Sequence, residues 1–462
     1  MRKDLTILRD RRFGLLLGAR TASVLGSAFG PVALTFGVLA LPGATATKLS
    51  IVLAAESLSM VAFMLLGGVI ADRLPRFRVM VAADLVAAGA WGGLSVMLIT
   101  GWAPMWLLVV LAAVAGMATA LFWPAFTGVV PEVVPAPKLQ AANGILRLGM
   151  NVARFGGFAV AGGAVAIFGA GWAMVLNAVL LVASAAFVAG LRLPMADRAE
   201  RDTSGAGNML RDLHDGWKEF RSRQWLWVVV AQYSFVVMVL QAVFGVLGPV
   251  IANERLGGPK GWSWILAAEA IGMLVGVIFA IRAKPKRPIR LVVLLTFPLA
   301  SLPLALGLGA PLYVAAAAAL IGGIAVDILS VLWDTTMQRE IPEESLSRVS
   351  SYDALGSLMF GPIGLLLAGP AVDVVGAKNA LLISAAVTAI ASVAALCSPG
   401  VRNLEWSTPT AVPVQAVPVQ AVPEAPVEVE PAARSMAELD RNQPNEHAAS
   451  PPTTTPTALI DV

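Results

Sequence analysis

Apolar residues fall into long blocks along this chain, each bounded by charge or by Gly and Pro. The blocks are about 13–40, 49–71, 79–100, 104–127, 145–168 and 172–193, then 225–251, 262–281, 289–308, 311–337, 352–372 and 378–398. A helix rises 1.5 Å per residue, so a block of roughly twenty residues crosses the ~30 Å hydrocarbon layer of a bilayer. Only helices and closed barrels satisfy their backbone in lipid, and uninterrupted apolar runs of this length select helices. The pattern predicts an all-α integral membrane protein with twelve transmembrane helices.

The widest interruption, 194–224, splits the blocks into two sets of six. It is charged, carries a Gly/Ser hinge at 204–207, and then places Leu210, Leu213, Trp217 and Phe220 at helical spacing opposite charged residues. That is the pattern of an amphipathic helix on the membrane surface, with a soluble partner-binding helix as the alternative. After about residue 400 the chain turns to repeated Val-Pro steps and PPTTTPT, which deny it helix and sheet bonds. The expected organisation is a six-helix half over 1–193, a linker over 194–224, a second half over 225–400 and a disordered proline-rich tail over 401–462.

Composition agrees with burial in lipid. The chain is 57% apolar and 13% charged, against about 25% charged in soluble domains. Its net charge of +4 is parcelled into short loops, so no basic groove for nucleic acid forms. A single cysteine, Cys397, excludes an intrachain disulfide and a cysteine-based zinc site. The two histidines, His214 and His447, lie outside the apolar blocks, so any proton relay within the membrane must use carboxylates. The N-terminal MRKDLTILRDRRFGLLLGAR reads as a retained first span.

Orientation follows from the loops. Lys and Arg crowd the N-terminus, 73–78, 192–223, 282–290 and Arg339 to Arg348, while the opposite connections hold only Lys48, Arg255, Lys260 and Lys378. The positive-inside rule then places both termini in the cytoplasm of a multi-pass protein of the cell membrane.

The two halves repeat each other. Leu53-Ala-Ala-Glu56 recurs as Leu266-Ala-Ala-Glu269, with Met60 and Met273 at the same distance beyond. At one constant spacing, Pro135, Leu139, Leu148, Gly149, Gly157, Ala161 and Gly162 match Pro342, Leu346, Leu355, Gly356, Gly364, Ala368 and Gly369, and Gly30-Pro31-Val32 echoes Gly248-Pro249-Val250. Two parallel six-helix repeats are what a transporter needs to rock about a site held between them.

Gly67 to Arg78 reads GGVIADRLPRFR, with Gly68, Asp72, Arg73, Arg76 and Arg78 at the spacing of a loop motif. The chain resembles the major facilitator superfamily of twelve-helix secondary transporters, in which this loop latches the cytoplasmic side. It departs from the family pattern at Pro75 and Phe77. FWPAFTGVVPEVVP followed by AANG is similar to the drug-efflux branch that includes macrolide and enterobactin exporters. The glycines expected of exporters in the fifth span are present as Gly149, Gly156, Gly157, Gly162 and Gly163, but the Gly-Pro step is Gly156-Gly157 here, while the partner span keeps it as Gly361-Pro362. These glycines serve either an antiporter motif or helix packing alone.

Ionisable residues inside lipid cost several kcal/mol on insertion scales and therefore face an aqueous cavity or a partner. Arg20 and Arg154 lie within spans of the first half. They either bind an anionic substrate group or form a structural pair, with Asp84 as one partner. Glu56 and Glu269 occupy matching places in the two halves, and Asp327 lies near the middle of its span. All three are proton-coupling candidates, with inter-helix hydrogen bonding as the alternative for the glutamates and pairing with Arg20 or Arg154 for Asp327. Asn177, Gln232 and Gln241, with Tyr233, Trp123 and Trp333, supply polar and aromatic edges suited to a broad apolar substrate pocket.

These readings converge on a secondary active transporter, not an enzyme: a monomer in the lipid bilayer that exports a small amphipathic drug or secondary metabolite by alternating access. A proton gradient drives it, and no cofactor is expected. The alternatives are an importer of a nutrient or siderophore and a non-transporting membrane sensor or scaffold.

Overall fold

A computed structural model describes residues 10–135, 138–191, 217–283, 285–341 and 343–405; the segments 194–216 and 406–462, which hold most of the expected linker and tail, lie outside the described residues. Among those described, every regular element is a helix. Helix α1 (Arg11–Leu39) starts at Asp10, whose carboxylate accepts from the Arg12 amide at 2.8 Å, an N-cap that satisfies one of the orphan donors of the first turn. It is followed by α2 (Ala46–Arg73), α3 (Arg76–Thr100), α4 (Met105–Val133), α5 (Leu139–Phe168) and α6 (Ala170–Ala189).

The second set opens with α7 (Gln224–Arg255), which passes through a π turn at Val243–Leu247. Helices α8 (Gly258–Arg282), α9 (Pro288–Gly307) and α10 (Leu312–Glu340) follow. Glu343–Cys397 is helical without a gap, yet Gly376 at φ 82°, ψ 153° breaks its axis. At 1.5 Å per residue such a run would be more than twice the roughly 30 Å of the hydrocarbon layer, so it must fold back at that glycine. It is therefore two helices, α11 (343–375) and α12 (377–397). Among the described residues, eleven helical stretches are long and apolar enough to cross a membrane, and the last of them, divided at Gly376, makes twelve spans. Helix α11 begins nine residues earlier than its apolar block suggested, because its first turns are polar.

Gly169, between α5 and α6, sits at φ 84°, ψ 159°, nearly the conformation of Gly376. A side chain is strained there, so both halves reverse direction on a glycine. Other glycines mark the same repeat in three dimensions. A Cβ on Gly149 would meet Leu17 and on Gly356 would meet Val230; one on Gly157 would meet Leu25 and on Gly364 would meet Met238. These contacts pair α5 with α1 and α11 with α7 in identical register, making Leu25 the counterpart of Met238. In that register Gly30 corresponds to Val243. The echo of Gly30-Pro31-Val32 in Gly248-Pro249-Val250 is thus not a structural equivalence.

The halves meet through α2 with α11 and α5 with α8. A Cβ on Gly369 would collide with Thr47 and Ser50, and one on Gly162 with Pro259 and Ser263, again equivalent positions. Ser50 Oγ donates to the Leu365 carbonyl and accepts from the Gly369 amide at 2.9 Å, while Thr47 Oγ1 donates to Asp373 Oδ2. These bonds lie at the end of the bundle opposite the Arg73–Arg76 turn.

The described part of the linker is a short helix over 217–222. Its Phe220 ring is 6% exposed, stacks on Trp217 at 5.6 Å and contacts Tyr352 of α11, while Trp217 remains 48% exposed. Leu210 and Leu213 lie outside the described residues. At the far end, Pro399–Asn403 forms a last short helix, α13, with Val401 fully buried, so the packed body extends past residue 400.

Candidate functional site: charged groups between the helices

Inside the first half, α1, α3, α4 and α5 enclose a cavity of about 390 Å³, whose polar lining includes Arg20, Ser23, Asp84, Thr119, Asn151 and Arg154. Arg20 is only 5% exposed, with its guanidinium carbon 4.7 Å from the Phe126 ring centre and 5.5 Å from that of Phe122. Stacking on two rings lets a cation sit away from water. Asp84 on α3, 3% exposed, lies close enough to act on it electrostatically, with Ser184 of α6 beside it. Arg20 and Asp84, the possible structural pair, both stand in the wall of this cavity. Arg154 reaches the same cavity from α5, more exposed, over the Phe158 ring at 5.9 Å.

Glu56 and Glu269 stand at the same helix crossing in each half. A Cβ on Gly116 of α4 would fall on the Glu56 carbonyl, and one on Gly323 of α10 would fall on that of Glu269. Each glutamate is held where two helices come closest. Their surroundings then diverge. Arg154 acts electrostatically on Glu269 across the two halves. In the α5–α11 register, Arg154 corresponds to Gly361, so the mirror position beside α2 offers Glu56 no guanidinium.

Asp327 lies at the α8–α10 crossing, its Cβ 2.9 Å from where a Cβ on Gly276 would be, and its Oδ2 is buried without a hydrogen-bond partner among the described residues. The anticipated pairing with Arg20 or Arg154 is not formed: Arg20 engages Asp84 and two rings, and Arg154 engages Glu269. Two acids were not singled out from the sequence. Asp334 is two turns below Asp327 on the same face of α10 and sits in the field of Arg147 from α5. Asp353 of α11 accepts from Trp333 Nε1 at 3.1 Å and lies near Tyr233. The seven-residue spacing of Asp327 and Asp334, which places both on one helix face, was the available signal.

Three expected pocket residues lie outside this cavity. Asn177 is 1% exposed, wedged from α6 against Gly26 and Gly30 of α1, behind the cavity wall. Gln232 is 5% exposed, its Nε2 donating to Thr296 at 3.1 Å and Ser392 at 3.3 Å within the second half. Gln241 packs on Gly361 at the Gly361-Pro362 step of α11. In each case a polar side chain in an apolar helix found a packing or hydrogen-bonding role between helices. The side chains of Gly68, Asp72, Arg73 and Trp123 lie outside the described residues. Of the loop motif, Arg76 pairs with Glu132 at the end of α4 at 3.4 Å, and Arg78 lies over the Phe77 ring at 5.8 Å.

Known membrane proteins are similar to this chain. Over 411 residues the chain is 26% identical to the multidrug efflux pump Tap of Mycolicibacterium fortuitum, covering 86% of this chain and 98% of that one. Macrolide efflux protein A of Streptococcus pyogenes is 26% identical over 340 residues, 71% of this chain and 81% of its own. Among solved structures, the nucleoside transporter NupG superposes with a TM-score of 0.68 at 11% identity, over 85% of this chain and all of that one. A bacterial homologue of the iron transporter ferroportin in an inward-facing state gives 0.65 at 17% identity, over 84% and 98%. At such identities the structures speak for the fold alone. The family model described as Major Facilitator Superfamily matches residues 13–364, and the chain belongs to that superfamily of membrane transporters.

Proposed function

We propose that this transporter exports amphipathic organic compounds from the cytoplasm in exchange for protons, by alternating access between its two halves. The observation that carries the coupling is the presence of carboxylates deep in apolar spans without a matching cation: Asp327 Oδ2 is buried and unpartnered among the described residues, and Glu56 lacks the guanidinium that its counterpart Glu269 meets. An ionised acid held this way is costly, so binding and releasing a proton is its natural chemistry. Glu269, balanced by Arg154, serves as an inter-half tether. Export agrees with the names of the relatives, and the basic loops at the Arg76 end mark the cytoplasmic side. On this reading the hydrogen bonds of Ser50 and Thr47 with α11 hold the outer end closed.

Everted vesicles carrying the protein test the direction. With the lumen acid, a fluorescent amphipathic compound is expected to accumulate inside, and collapse of the gradient stops it. Movement of the compound together with protons would instead identify an importer.

A further inference from the structure

In the first half, Gly18 of α1 leaves room for the Phe187 ring of α6, 3.6 Å from where a Cβ on that glycine would lie. In the register set by the shared contacts of α1 with α5 and by the Gly169 and Gly376 turns, Ala231 of α7 replaces Gly18 and Ala394 of α12 replaces Phe187. No ring fills the equivalent space. A groove of about 690 Å³ runs there between α7 and α12, with Ala231, Ala391, Ala394 and Ala395 among its lining and the half-exposed rings of Trp227 and Phe235 beside them. That volume lies within the roughly 300–1,000 Å³ of ligand pockets.

The groove has a polar end. It starts at Gln224 and Pro399, where Arg402 donates to the Cys397 carbonyl at 3.5 Å. Ser398 Oγ, also in the lining, is buried without a hydrogen-bond partner among the described residues. Glu405, three residues beyond Arg402, is engaged by Arg287 at 2.9 Å. From Gln224 to Phe235 the lining rises about 17 Å along α7, close to the ~15 Å of one leaflet of the hydrocarbon layer. An apolar trough one leaflet long, ending at an arginine and an unsatisfied hydroxyl, has the charge and shape of a phospholipid.

We propose that the α7–α12 groove holds one acyl chain of an anionic membrane phospholipid, with its phosphate at Arg402 and Ser398. Gln232 separates this occupant from a transported compound. Its Oε1 is buried and unpartnered among the described residues on the same groove, and an acyl chain has no donor to give it.

The full-length protein in detergent is titrated with phosphatidylglycerol and phosphatidylcholine, and retained lipid is read by native mass spectrometry. The wild type retains phosphatidylglycerol about five-fold better, the expected weight of one basic residue at a lipid headgroup. Arg402→Gln, a surface change that leaves the helices intact, erases the preference. Ala394→Phe restores the ring that plugs the first half and removes the retained lipid, whereas Gln232→Met leaves retention unchanged. Equal retention of the two lipids by the wild type, or full retention by Ala394→Phe, would overturn the proposal. So would loss of retention in Gln232→Met, which would point to a donor-bearing compound in the groove.

Discussion

At the residue scale, the repeat makes two glutamates equivalent in position and unequal in surroundings. Arg154 from the other half acts electrostatically on Glu269, while the residue that corresponds to Arg154 in the second half is Gly361, packed on Gln241. Glu56→Gln is therefore expected to lower gradient-driven efflux by about 10²-fold while leaving substrate exchange at equal pH intact, measured in the same vesicles. Glu269→Gln and Arg154→Gln each leave one charge without its partner, and the double substitution recovers stability lost in either single one, as a melting series in detergent will read. Undiminished gradient-driven efflux by Glu56→Gln would remove its assigned role. The acids at 56, 269 and 327 were legible because a charge in an apolar block is rare. Their partners were not, because which helix faces which depends on the fold. Asn177, Gln232 and Gln241 show the limit of reading polar residues singly: an amide in a span serves a pocket or a helix contact, and only the neighbouring helix decides.

At the scale of elements, the apolar blocks located all twelve spans, because lipid sets both their minimum length and their composition. What the blocks did not show was the ends: α4 continues to Val133, its last valines buried in the core, and α11 begins at Glu343, its polar first turns projecting beyond the hydrocarbon. The breaks at 169–171 and 373–377 were legible, but the positive φ of Gly169 and Gly376 that makes each turn was not. A side chain at φ near +80° and extended ψ costs of order 1–3 kcal/mol. Gly169→Ala and Gly376→Ala are each expected to lower the melting temperature, whereas Gly89→Ala, in the middle of α3 with nothing within 4 Å of the new methyl, gains roughly 0.5–1 kcal/mol. Equal melting temperatures for the three variants would show that the two turns do not depend on their glycines.

At the scale of the whole molecule, two equivalent bundles touch through equivalent contacts, Gly369 with Ser50 and Gly162 with Ser263. The hydrogen bonds of α2 with α11 gather at the end away from the basic loops. A transporter that works by rocking these bundles has to part that end once in every cycle. The most direct measurement is to pin it. Thr47→Cys with Asp373→Cys, in a Cys397→Ser background, replaces a side-chain hydrogen bond between the halves with an oxidisable pair. Alternating access predicts that oxidation abolishes efflux and that reduction restores it. Full efflux by the oxidised, cross-linked protein would contradict the account.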